Sequence, residues 1–373
     1  MPANPADYYF VFVDNSNDLM LGLAKSGVNT DATDNNRALF YQTSINPASD
    51  LSKVFFIETR ESNYALRNID FDGLLLNVWY QQSAYFMTQN IATPNRWTDI
   101  TLTYSDDSWT IYSVMHSKYL GPNTTIANGV EVVEGKESSD AGHYQIYAIS
   151  KADYAKQYFR TQYSGSNVDG TALIMNPKFG GNSTYGWTLG CIVGTITGGA
   201  EIYHKDNAKI YQTVDYLPKG KYTVTCQALH GEGASGNSQL YAKTGETEMT
   251  AEATEATTST GGEALATETG RITSDANLGK ISVDIEVTNG SLELGFKQTT
   301  ASQWDVFSNF TLTLTDLYVS SVATSFTSGN TMTAGQWYSF TVPTNGDYTL
   351  SATEGVVYTV GDALVSQAQA APS

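Results

Sequence analysis

Histidine, cysteine and paired carboxylates are the side chains that most often carry covalent or metal chemistry in proteins. The 373-residue sequence has four histidines and two cysteines, and it contains neither a Gly-x-Ser-x-Gly nor a His-Glu-x-x-His segment. A nucleophile elbow and a zinc-hydrolase helix are therefore not indicated. Two carboxylates brought together in space would suffice for glycoside hydrolysis, but no carboxylate-rich strand stands out. We expect no catalytic residues and no enzyme activity.

Oxygen ligands of the kind that calcium prefers are concentrated in two segments, Asp14–Asp18 and Asp31–Asn36. Segments of the same composition also form ordinary turns. We therefore expect no resident cofactor, and a structural calcium ion is the one metal that this sequence would suit.

Aromatic side chains on polar loops are the remaining residues that could bind a ligand. A flat ring can stack on the C–H face of a sugar, while amides and carboxylates bind its hydroxyl groups. Trp187 and Trp304 could instead close the ends of a β-sandwich. The candidate carbohydrate-binding residues are Trp79, Trp97, Tyr185, Trp187, Tyr203, Trp304 and Asp305.

The charge balance excludes two classes of partner. With 20 Lys and Arg against 38 Asp and Glu, the net charge is -18. So acidic a chain repels phosphate backbones and anionic bilayers, and we expect no binding to nucleic acid. No apolar run approaches the roughly 20 residues that cross a membrane, so we expect no membrane insertion.

Two cysteines, Cys191 and Cys226, are too few for a disulfide framework, and both lie in apolar strand-like runs. The first residues, Met1–Pro5, do not resemble a signal peptide. We expect a secreted or cell-surface protein whose signal has been removed, with residence in the cytoplasm as the alternative.

The composition predicts an all-β fold. Glycine, threonine, tyrosine and valine are frequent, and period-two alternation such as Tyr222, Val224 and Cys226 is typical of half-buried strands. Helical periodicity is confined to short segments, of which Lys151–Tyr158 is the clearest.

Residues 1–161 contain a weak repeat in which an aromatic residue is followed by an aliphatic residue at +2 and an apolar one at +11. Its three instances are Tyr9/Val11/Met20, Tyr64/Leu66/Leu75 and Trp109/Ile111/Leu120. Three units of this size, with Trp-x-Ile leading to Lys-Tyr-Leu-Gly, resemble ricin-type and related β-trefoils. Because the Gln-x-Trp sugar motif of ricin-type lectins is missing, no trefoil sugar site can be transferred by residue. A generic β-sandwich is the alternative.

Residues 162–316 contain a second ordered set of motifs. They are Asn-Pro-Lys-Phe at 176–179, Gly-Trp at 186–187, Leu-Pro-Lys-Gly-Lys-Tyr at 217–222, Gly-Ser-Leu-Glu-Leu-Gly at 290–295 and Trp-Asp-Val-Phe-Ser-Asn-Phe at 304–310. This set resembles the galactose-binding-domain-like jelly rolls that serve as carbohydrate-binding modules in bacterial glycan-degrading systems. The resemblance implies a β-sandwich that binds a polysaccharide or glycan. Ser308 stands where those modules carry a calcium-binding Asp, which weakens that site.

Two further segments have distinct compositions. Residues 243–275 are rich in Thr, Glu, Ala and Gly, which predicts a polar surface insertion with at most edge-strand structure. Residues 317–373 predict a small C-terminal β unit, either complete or the beginning of a larger one. We expect a multi-module protein that binds glycan without catalysis and works beside other modules. The alternative is a structural or adhesive surface protein whose β modules act as spacers.

Overall fold

The structure is a computed structural model. It describes residues 2, 4–24, 37–69, 75–79, 85–88, 91, 93–163, 167–191, 193–196, 198–231, 236–256, 270–272, 274–300 and 304–318. Within these residues the fold is almost entirely β, as the composition predicts. Two β units, at 8–150 and 168–317, follow each other and are connected through one α-helix.

The first unit is built from twelve short strands. Its sequence alternates apolar runs with turn residues, which is the pattern of antiparallel hairpins. The strands are β1 (Tyr8–Asp14), β2 (Met20–Leu23), β3 (Leu39–Gln42), β4 (Phe55–Arg60), β5 (Asn63–Asn68), β6 (Leu76–Trp79), β7 (Tyr85–Thr88), β8 (Ile100–Ser105), β9 (Ser108–Ser113), β10 (Lys118–Pro122), β11 (Val132–Lys136) and β12 (Tyr144–Ser150).

Six of these strands close into a barrel. Each is antiparallel to the next in the cyclic order β1, β4, β5, β8, β9, β12, and β12 pairs with β1 along its whole length. The other six form the hairpins β2–β3, β6–β7 and β10–β11, which are bridged to one another. A six-stranded barrel with three capping hairpins is a β-trefoil, so the predicted trefoil is confirmed, and we call residues 8–150 the trefoil unit.

A pseudo-threefold relation connects the three four-strand repeats. One inter-strand pair recurs in each repeat: Phe10 with Phe55, Tyr64 with Ile100, and Trp109 with Tyr144. One backbone hydrogen bond recurs as well: Ile69 N–H to Val54 O, Val114 N–H to Asp99 O, and Asn15 N–H to His143 O. These two sets define which residues are equivalent in the three repeats.

The first instance of the predicted repeat lies one residue too early. The residues equivalent to Tyr64, Leu66 and Leu75 are Phe10, Phe12 and Leu21, rather than Tyr9, Val11 and Met20. Strand β1 is buried on both faces, because its odd-numbered residues pack outside the barrel against the helix and the second unit. A strand that is apolar on both faces carries no alternation from which its register could be chosen.

The second unit contains the remaining twelve strands. They are β13 (Val168–Asp169), β14 (Thr188–Leu189), β15 (Gly194–Ile196), β16 (Gly199–Tyr203), β17 (Ala208–Asp215), β18 (Gly220–His230), β19 (Ser238–Thr244), β20 (Thr247–Glu252), β21 (Thr254–Glu255), β22 (Lys280–Val287), β23 (Ser291–Gln298) and β24 (Trp304–Leu317). Short 3-10 helices occur at Pro5–Asp7, Pro47–Ser49, Leu51–Lys53, Ser138–Asp140, Thr171–Leu173 and Gly180–Asn182.

These strands form a two-layer sandwich, here called the sandwich unit. One sheet has the order β15, β16, β24, β18, with β13 on β24 and both β21 and β22 on β18. The other has the order β14, β17, β23, β19, β20. Successive strands repeatedly change sheet, as they do in jelly rolls. The predicted alternation in β18 is confirmed, since Tyr222, Val224 and Cys226 are fully buried. Phe296 and Phe307, from opposite sheets, stack at 4.6 Å.

Part of the polar segment 243–275 forms strands, and its assignment as a surface insertion stays a prediction. Its main element, β20, pairs only with β19 and is the outermost strand of its sheet. All but one of the β20 residues are exposed. Residues 257–269 and 273 of this segment lie outside the described residues.

A single helix, α1 (Lys151–Gln162), joins the two units and extends the predicted Lys151–Tyr158 by one turn. The Ser150 hydroxyl caps it by accepting from the Asp153 N–H. Tyr154, Tyr158 and Phe159 on its inner face belong to one apolar core that runs from the outside of β1 into the sandwich. Because the units share this core, the division of the chain at residue 161 stays a prediction.

Three remaining expectations concern cysteines, membranes and the C-terminal segment. Cys226 is buried, Cys191 is half-buried, and both are free thiols. No helix in the described part of the chain is long and apolar enough to span a membrane. The predicted C-terminal β unit, 317–373, lies outside the described residues except for its first two.

Candidate functional site

Trp187, one of the predicted sugar-binding residues, belongs to the core of the sandwich unit. Its ring contacts Phe179 at 5.2 Å and Phe310 at 4.7 Å between ring centroids. Its Nε1–H donates to the backbone carbonyl of Asn176 at 3.0 Å. The side chain is buried, so it offers no ring face to a ligand, and its prediction as a sugar platform is corrected.

Trp304 and Asp305 are also buried, because the first residues of β24 are covered by the neighbouring strands and loops. The Trp304 indole packs directly against Gly231. The Asp305 carboxylate accepts from the Ser238 hydroxyl and from the Gln298 amide, both at 2.5 Å. Neither side chain reaches solvent, so these two predictions are corrected as well.

Tyr185 lies in the seam between the two units. Its ring covers the guanidinium of Arg67, which is 3.7 Å from the ring centroid, and Arg67 forms a salt bridge with Glu58. Burial and the neighbouring Glu58 carboxylate raise the pKa of the Tyr185 hydroxyl. Tyr185 therefore connects the sandwich unit to the trefoil unit, and because its side chain is only half-buried, its role in ligand binding stays a prediction.

Two predicted aromatics do face solvent. Tyr203, at the end of β16, is 49% exposed and contacts the ring of His204 at 4.2 Å. Trp97, in the loop between β7 and β8, is 43% exposed. A seventh candidate, Trp79, ends β6, and its side chain lies outside the described residues.

The loop that carries Trp97 is held by its own polar residues. The Asn95 side chain accepts from the Trp97 N–H at 2.9 Å, and the Thr98 hydroxyl both donates to Asn95 O and accepts from Asn95 N–H. Such side-chain turns fix a loop without regular structure. The Arg96 guanidinium lies 4.9 Å from the Trp97 ring centroid and the His116 ring lies at 6.1 Å. The indole is therefore exposed to solvent, while the hydrogen bonds of the loop and the contacts with Arg96 and His116 hold it in place.

Two buried carboxylates, Asp99 and Glu134, belong to the surroundings of this ring. His116 Nδ1 is 2.8 Å from Glu134 Oε1, and the second oxygen of this buried carboxylate has no hydrogen-bond partner among the described residues. Asp99 pairs with Arg60 through Oδ2, and its Oδ1 is likewise unpartnered within the described residues. We call Arg96, Trp97, Asp99, His116 and Glu134 the Trp97 site.

The pseudo-threefold relation shows that the trefoil fold does not require a tryptophan here. Counting two residues back from the recurring Val54, Asp99 and His143 gives Ser52, Trp97 and Ala141 as equivalents. Ser52 and Ala141 are small and buried, whereas Trp97 is large and exposed. Trp97 thus departs from the repeat at a position that packing fills with small residues.

Nucleophilic chemistry finds little support in the geometry. The Ser108 hydroxyl is 2.9 Å from His143 Nδ1, the one serine–histidine pair that the described residues show. A catalytic triad also needs a carboxylate that orients the histidine, and the carboxylate–histidine pair seen among the described residues is at His116, not at His143. Ser108 is also buried, so a substrate carbonyl has no approach to its hydroxyl.

No group of three or more metal-ligating residues occurs among the described residues. The Asp14 carboxylate accepts from the backbone N–H groups of Ser16 and Asn17, so it builds the β1–β2 turn. Ser308 donates to the Gly198 carbonyl. The segment Asp31–Asn36 lies outside the described residues.

A cavity of about 220 Å³ lies along the seam between the units. Its lining includes Tyr9, Phe56, Tyr158 and Asn176, most of which also build the shared core. None of the seven predicted site residues lines it.

The sequence could have indicated part of the Trp97 site. Trp97 was identifiable as an aromatic residue after the polar Pro94-Asn95-Arg96. Asp99, His116 and Glu134 were not identifiable, because three separate strands and turns bring them together only in the folded barrel.

No protein-family model matches the sequence, and a comparison with curated proteins gives no match either. Solved structures that match include the designed three-fold symmetric protein ThreeFoil (12% identity, 37% of this chain and 96% of that one, TM-score 0.30). The Rhizoctonia solani agglutinin also matches (13% identity, 40% of this chain and 100% of that one, TM-score 0.31). So does a protein described as BEL β-trefoil (15% identity, 40% and 97%, TM-score 0.30). The trefoil assignment itself rests on the strand pairing described above.

Proposed function

We propose that this protein binds carbohydrate without catalysis, and that the Trp97 site of the trefoil unit makes the principal contact. The observation that carries the proposal is the exposed Trp97 ring, fixed by a polar turn at a position where the other two repeats have small buried residues. An aromatic ring supplies apolar area for the C–H face of a sugar. The exposed Arg96 guanidinium beside the ring supplies hydrogen-bond donors for sugar hydroxyl groups.

The absence of catalysis is part of the proposal. It is supported by the position of the carboxylate–histidine pair among the described residues, which is at His116 and not at His143, and by the buried position of Ser108.

We further propose that the sandwich unit is a jelly roll of the galactose-binding type and that Tyr203 with His204 adds a secondary contact to glycan. The order of its sequence motifs and the exposure of Tyr203 support this. We propose a secreted or cell-surface location, which is supported by the net charge of -18. Fractionation of the native host would test it, and recovery only from the cytosol would exclude it.

The Trp97 proposal is tested by affinity electrophoresis in gels that contain galactomannan, xylan, β-glucan or a uronate-rich pectin. We expect the protein to be retarded by at least one polysaccharide, and Trp97→Ala to weaken that retardation at least tenfold, as truncation of a central aromatic does. Tyr216→Asn is the matched control, because Tyr216 is 51% exposed on the sandwich unit and has a left-handed φ of 66° that Asn tolerates. Retardation that survives Trp97→Ala unchanged would exclude this site.

The structural or adhesive alternative has one observation in its favour. Among the described residues, strand β20 has a partner strand on one side only, and the backbone groups of its other edge can pair with a strand of another chain. Sedimentation velocity would test it: a concentration-dependent dimer that Thr250→Pro abolishes supports pairing through β20. A monomer at all concentrations excludes self-pairing.

A further inference from the structure

A second group of aromatic residues on the trefoil unit is open to solvent. Tyr104 in β8 and Trp109 in β9 are cross-strand partners beside the β8–β9 turn. Their ring centroids are 5.2 Å apart and their planes are inclined by 49°, so the two rings form a shallow V. Tyr104 is 55% exposed, the largest exposure among the apolar and aromatic side chains of the described residues, and Trp109 is half-buried.

The pseudo-threefold relation again shows that packing does not require these rings. The pairs equivalent to Tyr104 with Trp109 are Thr59 with Tyr64 and Ala148 with Phe10. In both, the partner of the aromatic residue is small, and Phe10 is completely buried in the barrel core. Only this repeat places a second aromatic ring at the position of Tyr104, where it projects into solvent. An exposed aromatic pair that packing does not need is typical of a binding surface.

Hydrogen bonds from polar side chains hold the β8–β9 turn beside the two rings in place. Asp106 and Asp107 have φ values of 49° and 57°, which makes the β8–β9 connection a tight two-residue hairpin turn. The Gln145 amide donates to the Asp107 carbonyl at 2.6 Å and to the Asn15 side chain at 2.8 Å. These bonds tie the turn to the barrel. We call Asn15, Tyr104, Asp107, Trp109 and Gln145 the Tyr104 platform.

The side chains around the rings match the hydroxyl groups of a sugar. The Asp107 carboxylate accepts a long hydrogen bond, 3.3 Å, from the Tyr104 hydroxyl and has further acceptor capacity. The Asn15 amide nitrogen offers donors, and the Gln145 side-chain oxygen offers an acceptor, since both hydrogens of the Gln145 amide are already donated. Because the turn carries the two adjacent carboxylates Asp106 and Asp107, an anionic ligand would be repelled.

We infer that the Tyr104 platform is a second saccharide-binding site, selective for a neutral pyranose whose C–H face stacks on Tyr104 and Trp109 while its hydroxyl groups bind Asp107 and Asn15. The inference rests on the proposed carbohydrate binding and adds a second site to the Trp97 site. Two sites on one rigid barrel make the trefoil unit bivalent, so it can cross-link a branched polysaccharide and gain avidity on a repetitive one.

The experiment uses the full chain and two probes. Calorimetric titration with methyl glycosides of galactose, N-acetylgalactosamine, glucose and mannose, to 10 mM, counts the sites per chain. Precipitation of galactomannan reports cross-linking. The variants are Trp97→Ala, Tyr104→Ala, the double variant, and Tyr216→Asn as the control. Asp107→Asn removes the carboxylate but keeps both rings and the turn, since Asn tolerates positive φ. It tests the site even where Tyr104→Ala is unstable.

In a Tyr203→Ala background, which removes the secondary contact proposed on the sandwich unit, we expect two saccharides bound per chain, and one per chain when Tyr104→Ala or Trp97→Ala is added. Either addition abolishes precipitation. Asp107→Asn weakens the second site by about tenfold. Two sites retained when Tyr104→Ala is added, or unchanged binding in Asp107→Asn, would overturn the inference. Loss of all binding in Trp97→Ala alone would overturn it while supporting the Trp97 proposal. Binding that only Tyr104→Ala removes would overturn the Trp97 proposal instead. No binding of any probe by the wild type would refute both.

Discussion

Replacing the buried Trp187 by alanine tests whether this residue is structural, as the structure indicates, or ligand-binding, as the sequence predicts. The substitution removes an indole packed against Phe179 and Phe310. Loss of a buried tryptophan costs about 3 to 5 kcal/mol, because a cavity is left behind. It also leaves the Asn176 carbonyl without the Nε1–H donor, a loss of about 1 kcal/mol that overlaps with the first.

For a folding unit of this size, each kcal/mol lowers the thermal midpoint by about 2 to 4 °C. We therefore expect Trp187→Ala to lower the midpoint by roughly 6 to 20 °C, followed by circular dichroism. Trp187→Phe keeps most of the packing and should lose only about 1 to 2 kcal/mol. Trp97→Ala is the matched control, since an exposed side chain should change the stability by about 0.5 kcal/mol or less.

A Trp187→Ala protein that melts within about 2 °C of the wild type, and yet no longer binds saccharide, would refute this reasoning. It would return Trp187 to the ligand-binding role that the sequence predicts.

Three further substitutions test the seam, the sandwich end and the core that the two units share. Arg67→Ala leaves the buried Glu58 without its salt bridge and should destabilise the fold by about 3 to 5 kcal/mol in urea titration, whereas an unchanged urea midpoint would contradict the seam contact. Gly231→Ala places a Cβ about 2.9 Å from the Trp304 indole and should cost roughly 1 to 3 kcal/mol; full stability would show that Trp304 can move. Burial raises the pKa of Tyr9 to about 12, above its unfolded value near 10, so the unfolded state loses this proton first and stability falls as the pH rises from about 10 to 12. Tyr9→Phe should therefore shift alkaline unfolding, followed by circular dichroism, to higher pH, and an unshifted transition would contradict the buried position.

The trefoil was predictable from the sequence because two of its repeats keep the same spacing around Tyr64 and Trp109. The register of the first repeat was not, since β1 packs on both faces and carries no polar alternation. In the sandwich unit, the alternation in the first half of β18 follows directly from its sequence, because Tyr222, Val224 and Cys226 enter the core while the residues between them are more exposed.

The candidate site was less predictable. The residues that flank a tryptophan in sequence do not show whether its ring packs in a core, as those of Trp187 and Trp304 do, or faces solvent, as that of Trp97 does. Exposure depends on what covers the ring, and that is set by loops distant in sequence. For the same reason the sequence shows Trp109 only as part of the repeat, and the exposed Tyr104 becomes its partner only through the β8–β9 pairing.

The most direct test of carbohydrate binding by the trefoil unit is a ¹H–¹⁵N spectrum of the six tryptophan indoles during titration with a saccharide that retards the protein in affinity electrophoresis. We predict that the Trp97 and Trp109 signals move and saturate, while the signals of the buried Trp187 and Trp304 stay fixed. Movement of Trp187 or Trp304 with Trp97 and Trp109 unchanged would contradict the proposal and place the site in the sandwich unit.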